Sequence, residues 1–248
     1  MARQPYILFL SVFLLLSCNH SGTPTAPSAA SESETMYQVS TLQALMEGGY
    51  DGYITVGELC RHGDFGMGTF DKIDGEMIVL DGNVYQARHD GSVTLADGNL
   101  TVPFANITHF DSDFTAVLTH VDNMDALTTQ LTQAITPHGL QQIYAVRIAV
   151  PESDSILVRS ELPQRKPYRP LAEVLQSDQR EYTYRHLAGT IVALYFPDCF
   201  VRQNATGWHC HFLSDDTTKG GHMFDLTTSA GLTAHFDVTP CFSLYLPQ

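Results

Sequence analysis

Positive charge is scarce in this sequence. Its 248 residues include 13 Lys and Arg against 27 Asp and Glu, which gives a formal net charge of −14, and the basic residues form no extended run. A chain this acidic is poorly suited to binding the phosphate backbone of nucleic acids. No apolar run reaches the roughly 18 residues of a membrane-spanning helix. These absences exclude a nucleic-acid-binding protein and a multi-span membrane protein, and the length predicts one large domain or two small ones.

The N-terminal segment is typical of a targeting signal. Arg3 precedes an apolar run over residues 5–17, which is too short to span a membrane and predicts a signal peptide over residues 1–17. The sequence LLSC that ends at Cys18 resembles the lipobox of bacterial lipoproteins, in which the cysteine is acylated; an ordinary signal peptide cleaved slightly later is the alternative. Residues 18–35 have the small, polar composition of a tether. We expect an exported protein that contacts the membrane only through a lipid on Cys18, or otherwise a secreted one.

The remaining cysteines give little structural information. Cys60, Cys199, Cys210 and Cys241 show no CxxC spacing and no pattern of a disulfide framework. An exported chain permits bridges, but the sequence leaves their pairing open. We expect these cysteines to be mainly small buried hydrophobic residues.

Strand patterns dominate the rest of the chain. Asp-Gly pairs beginning at residues 74, 81, 90 and 97 separate the runs EMIVL, NVYQARH and SVTLA, which predicts a β-meander. Apolar residues at helical spacing predict a helix over Asp122–Thr136, with Pro137 after it. Shorter helices are predicted at Leu42–Met46, capped by Ser40 or Thr41, and at Leu171–Gln176. Further strands are predicted at Ile143–Val150, at Ser155–Ser160 and from about Leu187 to the end.

This order of elements predicts an α+β fold with two β-rich lobes, of which the second is barrel-like. The first lobe is predicted over residues 36–165 and the second over residues 166–248. A proline-rich link, LPQRKPYRP at residues 162–170, lies between the last strand of the first lobe and the short helix of the second.

A pattern of histidines carries the clearest chemical signal. His209 and His211 are two residues apart in a predicted strand, so that both imidazoles point to the same face. The following loop contains Asp and Gly residues, including Gly220 and Gly221, that suit a hairpin turn. An antiparallel return would place His222 across from the pair.

Three neutral imidazoles with an open fourth position are typical of a catalytic zinc site. Cys210 would point the other way and is not expected to be a ligand. Two alternatives remain open: a histidine pair on a solvated strand face without metal, and a cluster that also includes His235. Histidine ligands would also accept other divalent transition ions.

These residues resemble the zinc-binding segment of bacterial α-acetolactate decarboxylases. Other segments fit the same family in the same order and span about Tyr37 to Leu246: YQVST at 37–41, GDFGMGTF at 63–70 with IDGE at 73–76, the block around Arg159 with KPY at 166–168, and GTIV at 189–192. The resemblance implies two lobes, a mixed sheet and a β-barrel-like sheet, with zinc in the cleft between them.

The resemblance also implies a reaction. The family converts acetolactate (2-hydroxy-2-methyl-3-oxobutanoate) to acetoin and CO2, a step that feeds the butanediol pathway, and a homodimer is plausible from the family. The implied zinc ligands are His209, His211 and His222. The implied active-site residues are Glu76, Arg159 and Thr69.

The chemistry of a β-keto acid agrees with this assignment. Loss of CO2 leaves an enolate, so a cation placed where that charge develops lowers the barrier. Arg159 could hold the substrate carboxylate, and Glu76 could protonate the product on one face, which would set the chirality of acetoin. Arg147, also in a predicted strand, competes for the role of Arg159, and Thr69 could be a plain strand residue.

Two features leave other functions open. Family members continue into a tail whose glutamate folds back towards the metal, whereas this sequence stops at Gln248; Asp225 is a conceivable substitute. The alternative function is a non-catalytic, envelope-anchored zinc- or ligand-binding lipoprotein. Such a protein needs neither a carboxylate clamp nor a proton donor, so Arg159 and Glu76 favour the enzyme. A cupin-type metalloenzyme is disfavoured because its usual glutamate after the histidine pair is missing.

Overall fold

The computed structural model describes residues 34–247. The predicted signal peptide, Cys18 and nearly all of the predicted tether lie outside these residues and stay predictions. Among residues 34–247, no helix combines the length and the apolar character needed to cross a membrane.

Short strands make up most of the described chain. The strands are β1 (Thr35–Val39), β2 (Ile54–Thr55), β3 (Phe65–Thr69), β4 (Glu76–Leu80), β5 (Asn83–Ala87), β6 (Val93–Leu95), β7 (Thr101–Val102), β8 (Phe104–Thr108), β9 (Phe114–Leu118), β10 (Ile143–Val150), β11 (Ser155–Glu161), β12 (Gln179–Tyr184), β13 (Gly189–Phe196), β14 (Gly207–Ser214), β15 (Gly220–Thr227), β16 (Leu232–Thr239) and β17 (Cys241–Tyr245). The α-helices are α1 (Leu42–Met46), α2 (Val56–Leu59), α3 (Met124–Ile135) and α4 (Leu171–Ser177).

Two large sheets define the architecture. The seven-stranded sheet has the order β17-β1-β8-β3-β4-β5-β6 and is mixed, because β1 and β17 pair in parallel. The eight-stranded sheet is antiparallel, with the order β12-β11-β15-β14-β13-β10-β16-β9. The predicted α+β fold with two β-rich parts is confirmed. The second sheet, however, ends at β12 and β9 and is not closed into a barrel.

The two sheets do not follow the predicted boundary at residues 165/166. Strands β9, β10 and β11 precede that boundary but belong to the eight-stranded sheet, and β17 at the end of the chain lies at the edge of the seven-stranded sheet. The chain therefore passes between the sheets more than once. Pairing between strands that are distant in the sequence decides which sheet a strand joins, and the pattern of a single strand does not specify that pairing.

The predicted local elements are present. The meander forms as β4, β5 and β6, paired antiparallel. The long helix, α3, begins at Met124 because Asn123 is extended and its side chain accepts a hydrogen bond from the amide of Ala126. Thr41, and not Ser40, caps α1 by accepting from the amide of Ala44. The short helix after Pro170 forms as α4.

The central strands of the eight-stranded sheet are covered on both faces. On one face, Leu127, Leu131 and Ile135 of α3 pack with sheet residues that include Cys210 and Phe212 of β14. The opposite face packs against the seven-stranded sheet. The contacting residues of that interface are Met36, Phe65, Met67 and Ile78 from one sheet and Ile143, Ala145, Val192, Leu194, Phe196 and Leu213 from the other. The strand alternation of β14 therefore directs residues 209, 211 and 213 towards the space between the sheets.

The cysteines differ in part from expectation. Within residues 34–247 no disulfide forms, and the four thiols are free. Cys210 is buried, as predicted, but Cys60 is half-buried and Cys199 and Cys241 are exposed. The expectation that these residues are mainly buried was therefore wrong, because only Cys210 lies in a strand with both faces covered.

A glycine allows β3 to lie close to β8. A Cβ atom at Gly66 would meet the backbone oxygen of Asn106 at 2.0 Å. Backbone atoms inside a sheet cannot move aside as the end of a flexible side chain can. Gly98, by contrast, lies in a turn where a Cβ atom would meet nothing within 4 Å.

We expect Gly66→Ala to lower the free energy of unfolding by about 1–3 kcal/mol or more, because the added methyl group must push β3 and β8 apart. The matched control Gly98→Ala should change it by less than about 0.5 kcal/mol. Urea denaturation of both variants tests this, and an equal effect of the two substitutions would contradict the close approach of the strands.

Candidate active site

Three adjacent strands place the predicted histidines together. His211 of β14 faces His222 of β15, and His222 faces Arg159 of β11. His209 lies two residues before His211, on the same strand face. One ring nitrogen from each of the three histidines lies within 4.8 Å of the others. The predicted antiparallel return is thus confirmed, and this group could bind a metal ion.

The hairpin turn lies earlier than the glycines suggested. Residues 215–219 form the connection, which closes through the hydrogen bond from the Ser214 amide to the Lys219 carbonyl oxygen, 2.9 Å. Gly220 and Gly221 belong to β15 instead. Gly221 has a φ of +146°, and a Cβ atom there would meet the Arg159 carbonyl oxygen at 2.6 Å. This glycine lets β15 approach β11 directly before His222.

The tautomer of His211 is set by the other sheet. Its Nδ1 lies 2.9 Å from the carbonyl oxygen of Met77 in β4, and a carbonyl oxygen only accepts, so Nδ1 must carry the proton. The lone pair of the neutral ring is then on Nε2. That atom is buried and has no hydrogen-bond partner. A buried nitrogen lone pair without a partner, held by a carbonyl on the other side of the ring, is what a metal-ligating histidine requires.

The other two imidazoles complete the group. His209 Nε2 lies 3.0 Å from His222 Nδ1, close to the distance of about 3.3 Å expected between two nitrogens on one tetrahedral ion. Burial, together with the positive charge of Arg159, lowers the pKa of His209 to about 4. Burial also holds the pKa of His211 and of His222 well below 6.5. All three rings are therefore uncharged at neutral pH, and each can offer a nitrogen lone pair to a metal ion.

A buried ion pair borders the histidines. Arg159 Nη1 donates to Glu76 Oε1 over 3.1 Å, and Glu76 Oε2 lies 3.5 Å from His211 Nε2. The side chain of Glu76 is 8% exposed and that of Arg159 is 10% exposed. Burial raises the pKa of Glu76 to about 7, while the charge of Arg159 acts in the opposite direction. Glu76 can therefore hold or release a proton near neutral pH.

Glu161 is a site residue that the sequence reasoning missed. It forms a buried ion pair with Arg159, so that Arg159 lies between two carboxylates. The signal was present in the sequence, because Arg159 and Glu161 are two apart in one strand and share a face. The ring of Phe224 also contacts Arg159, whose Cζ lies 5.3 Å from the ring centroid.

Thr69 contributes through the backbone. Its hydroxyl donates to the Gly75 carbonyl oxygen over 2.8 Å, which holds the turn directly before Glu76. Thr69 also lines a cavity of about 220 Å³, together with Glu76, Arg159, Glu161 and the three histidines. The apolar wall of this cavity is formed by Leu42, Leu45, Met46, Met67, Ile73, Phe104, Leu171 and Leu175.

The competing residues lie elsewhere. Arg147 makes two hydrogen bonds to Asp81, of 2.7 and 3.1 Å, at an exposed position. Asp225 accepts from the amide of Met124 at the start of α3. His235 faces Arg147 in the β10–β16 pairing. Cys210 packs on the opposite side of β14, as predicted. None of these four residues lines the cavity.

The fold and the site together define a class of protein: two packed β-sheets that enclose a three-histidine group able to bind a metal, next to a buried Glu–Arg pair. A family model described as alpha-acetolactate decarboxylase matches residues 36–248. The chain belongs to this family.

Individual relatives carry the same family name. A protein named alpha-acetolactate decarboxylase from Methanosarcina mazei is 39% identical over 215 residues, which cover 87% of this chain and 73% of the relative. A protein of the same name from Methylococcus capsulatus is 40% identical over 217 residues, which cover 88% of this chain and 82% of the relative. The crystal structure of alpha-acetolactate decarboxylase from Bacillus subtilis superposes with a TM-score of 0.81 at 31% identity, over 86% of this chain and 89% of that one.

We expect His209 of the metal-free folded chain to titrate near pH 4, whereas in urea its imidazole should titrate near 6.5. The imidazoles of the unfolded chain bind protons at a higher pH than those of the folded chain. The free energy of unfolding should therefore decrease as the pH falls below about 6.5. NMR titration of the imidazole signals in both states measures this. A pKa of about 6 or higher for His209 in the folded chain would contradict a desolvated cluster.

Proposed function

We propose that this chain decarboxylates 2-acetolactate to acetoin and CO2, with Zn2+ bound by His209, His211 and His222. The product would enter the acetoin and butanediol pathway. One observation carries the proposal: a buried Glu76–Arg159 pair borders three neutral imidazoles in a single small cavity. The names of the family's relatives support the same reaction.

The donor set fits zinc. Three neutral imidazole nitrogens leave a further coordination position open, as in other catalytic zinc sites. The Nε2 of His211 is buried and has no hydrogen-bond partner, so its lone pair is available to coordinate the metal. When bound, zinc supplies a Lewis acid that stabilises the negative charge left by the departing CO2.

Arg159 orients the substrate. Its Nη1 is held by Glu76, while its Nε is buried without a hydrogen-bond partner. An unpaired buried donor on a cation favours an anionic ligand, because a carboxylate would satisfy it. Glu76, Glu161 and the Phe224 ring restrict the guanidinium to one position, so that the substrate carboxylate and its scissile bond are held in one orientation.

The cavity suits a small substrate. Its volume of about 220 Å³ is below the roughly 300–1,000 Å³ of sites for drug-sized ligands. Leucines from α1 and α4 form much of its wall, and these side chains would contact the methyl groups of acetolactate and exclude water. Exclusion of water strengthens the electrostatic contacts of Arg159 and Glu76 inside the cavity.

Glu76 is the proton donor in this proposal. With a pKa of about 7, it is protonated in a large fraction of molecules at neutral pH and can deliver its proton to the carbon that has lost CO2. Arg159 fixes the position of this carboxyl group. Delivery from one side would give a single enantiomer of acetoin.

Acetoin formation tests the proposal. The zinc-loaded chain is given racemic acetolactate, and acetoin is measured against the spontaneous rate. We expect activity in the wild type and in His235→Ala, which is outside the cavity, and loss of activity in His209→Ala. No acetoin from protein that holds one zinc per chain would contradict the enzyme, and would favour the non-catalytic zinc- or ligand-binding lipoprotein.

We expect Glu76→Gln to lower kcat by about 10²–10⁴-fold, because the amide cannot donate a proton and recover it. The zinc content should stay at the wild-type level, since the three histidines remain. Glu58→Gln, at an exposed position of α2, is the matched control and should leave kcat unchanged. A Glu76→Gln variant with normal kcat and normal product chirality would exclude Glu76 as the donor.

A further inference from the structure

We propose that Asp111, Asp113 and Asp237 bind a second cation, a hard divalent ion such as Ca2+, at the junction of the two sheets. This site is separate from the histidine group and does not depend on the proposed decarboxylation. The burial of Asp237 and the geometry of the three carboxylates support it.

Asp237 is a buried carboxylate without a partner. It lies in β16 and is 0% exposed, and neither of its side-chain oxygens has a hydrogen-bond partner. Within residues 34–247, no Lys, Arg or His makes an ion pair with it. An ionised carboxylate in such surroundings is strongly unfavourable unless a positive charge compensates it.

Two further carboxylates converge on Asp237. One oxygen each from Asp111, Asp113 and Asp237 lies within 4.8 Å of the others. Oxygens bound to one Ca2+ at about 2.4 Å are at most about 4.8 Å apart, so this spacing is compatible with a shared ion. Asp111 and Asp113 are exposed, and they leave the site accessible from solvent.

Local hydrogen bonds hold the carboxylates together. The Asp113 amide donates to the Phe236 carbonyl oxygen over 2.8 Å, and the Val238 amide donates to Asp113 Oδ2, also over 2.8 Å. These bonds fix the segment before β9 against β16, on either side of Asp237. The carboxylates are therefore kept close despite their like charge.

Their mutual repulsion is visible in the electrostatics. Burial raises the pKa of Asp237 to about 8, and the charges of Asp111, Asp113 and Glu34 contribute to this shift. Burial raises the pKa of Glu34, and the charges of Asp111 and Asp113 raise it as well. Four acids thus share one region, and a divalent cation would remove the repulsion. Oxygen-only ligands favour Ca2+ or Mg2+ over a transition ion.

The position of the site suggests its effect. Asp237 belongs to the eight-stranded sheet, Glu34 directly precedes β1 of the seven-stranded sheet, and Asp111 and Asp113 lie in the segment that connects β8 of one sheet to β9 of the other. A bound ion would link β16 of the eight-stranded sheet to the segment between β8 and β9, beside the start of β1. We therefore expect it to stabilise the packing of the two sheets.

The test uses the full chain with zinc at the histidine group, freed of other ions and kept at pH 7.5. Ca2+ should raise Tm by about 3–5 °C for each tenfold increase above its dissociation constant, and calorimetric titration should give one Ca2+ per chain. Asp237→Asn should lose this response, and in the absence of Ca2+ it should melt above the wild type because folding no longer has to bury or protonate this carboxylate. Asp215→Asn, at an exposed turn position, is the matched control and should respond as the wild type does.

Three results would overturn the proposal: no effect of Ca2+ or Mg2+ on Tm, an equal effect in Asp237→Asn, or an equal effect in Asp111→Asn. The last variant changes an exposed side chain and serves if Asp237→Asn does not fold. The first result would mean that Asp237 is buried as a neutral carboxylic acid. A Ca2+ response in His209→Ala, which lacks a zinc ligand, would separate this site from the proposed function.

Discussion

The hydrogen bond from His211 to the carbonyl oxygen of Met77 connects the two sheets at the candidate active site. It joins β14 of one sheet to β4 of the other over 2.9 Å. The same contact brings Glu76, the first residue of β4, to within 3.5 Å of the free nitrogen of His211. The position of the acid, the tautomer of the histidine and the shape of the cavity therefore all depend on how these two sheets pack.

The electrostatics of the site follow from that packing. The sheets exclude water from the space between them, which lowers the pKa of the three histidines and raises that of Glu76. The positive charge of Arg159 compensates the buried carboxylates of Glu76 and Glu161, and both ion pairs hold the guanidinium in place. A site of this kind has three neutral imidazoles, a carboxyl group able to carry a proton and an oriented cation in one small volume.

Local patterns predicted the elements well and their partners poorly. The Asp-Gly pairs indicated β4, β5 and β6 because positive φ at a glycine is a local requirement, and helical spacing indicated α3. Gly220 and Gly221 were assigned to a turn, although both belong to β15, where Gly221 allows close approach to β11. The assignment of β9, β10 and β11 to the first lobe did not match the sheets, since the pairing of distant strands is not encoded in the period of any one strand.

The sequence by itself determined the strand alternation that puts His209 and His211 on one face, the turn that returns His222 to them, and the family. Only the tertiary structure decided that Arg159 and not Arg147 lines the cavity, that Glu161 joins Arg159, and that Asp237 is buried beside two other acids. The physical reason is that alternation and turns act over a few residues, whereas burial and charge pairing arise between strands far apart in the chain. Arg159 and Glu76 are separated by 83 residues, and their contact exists only because the two sheets meet.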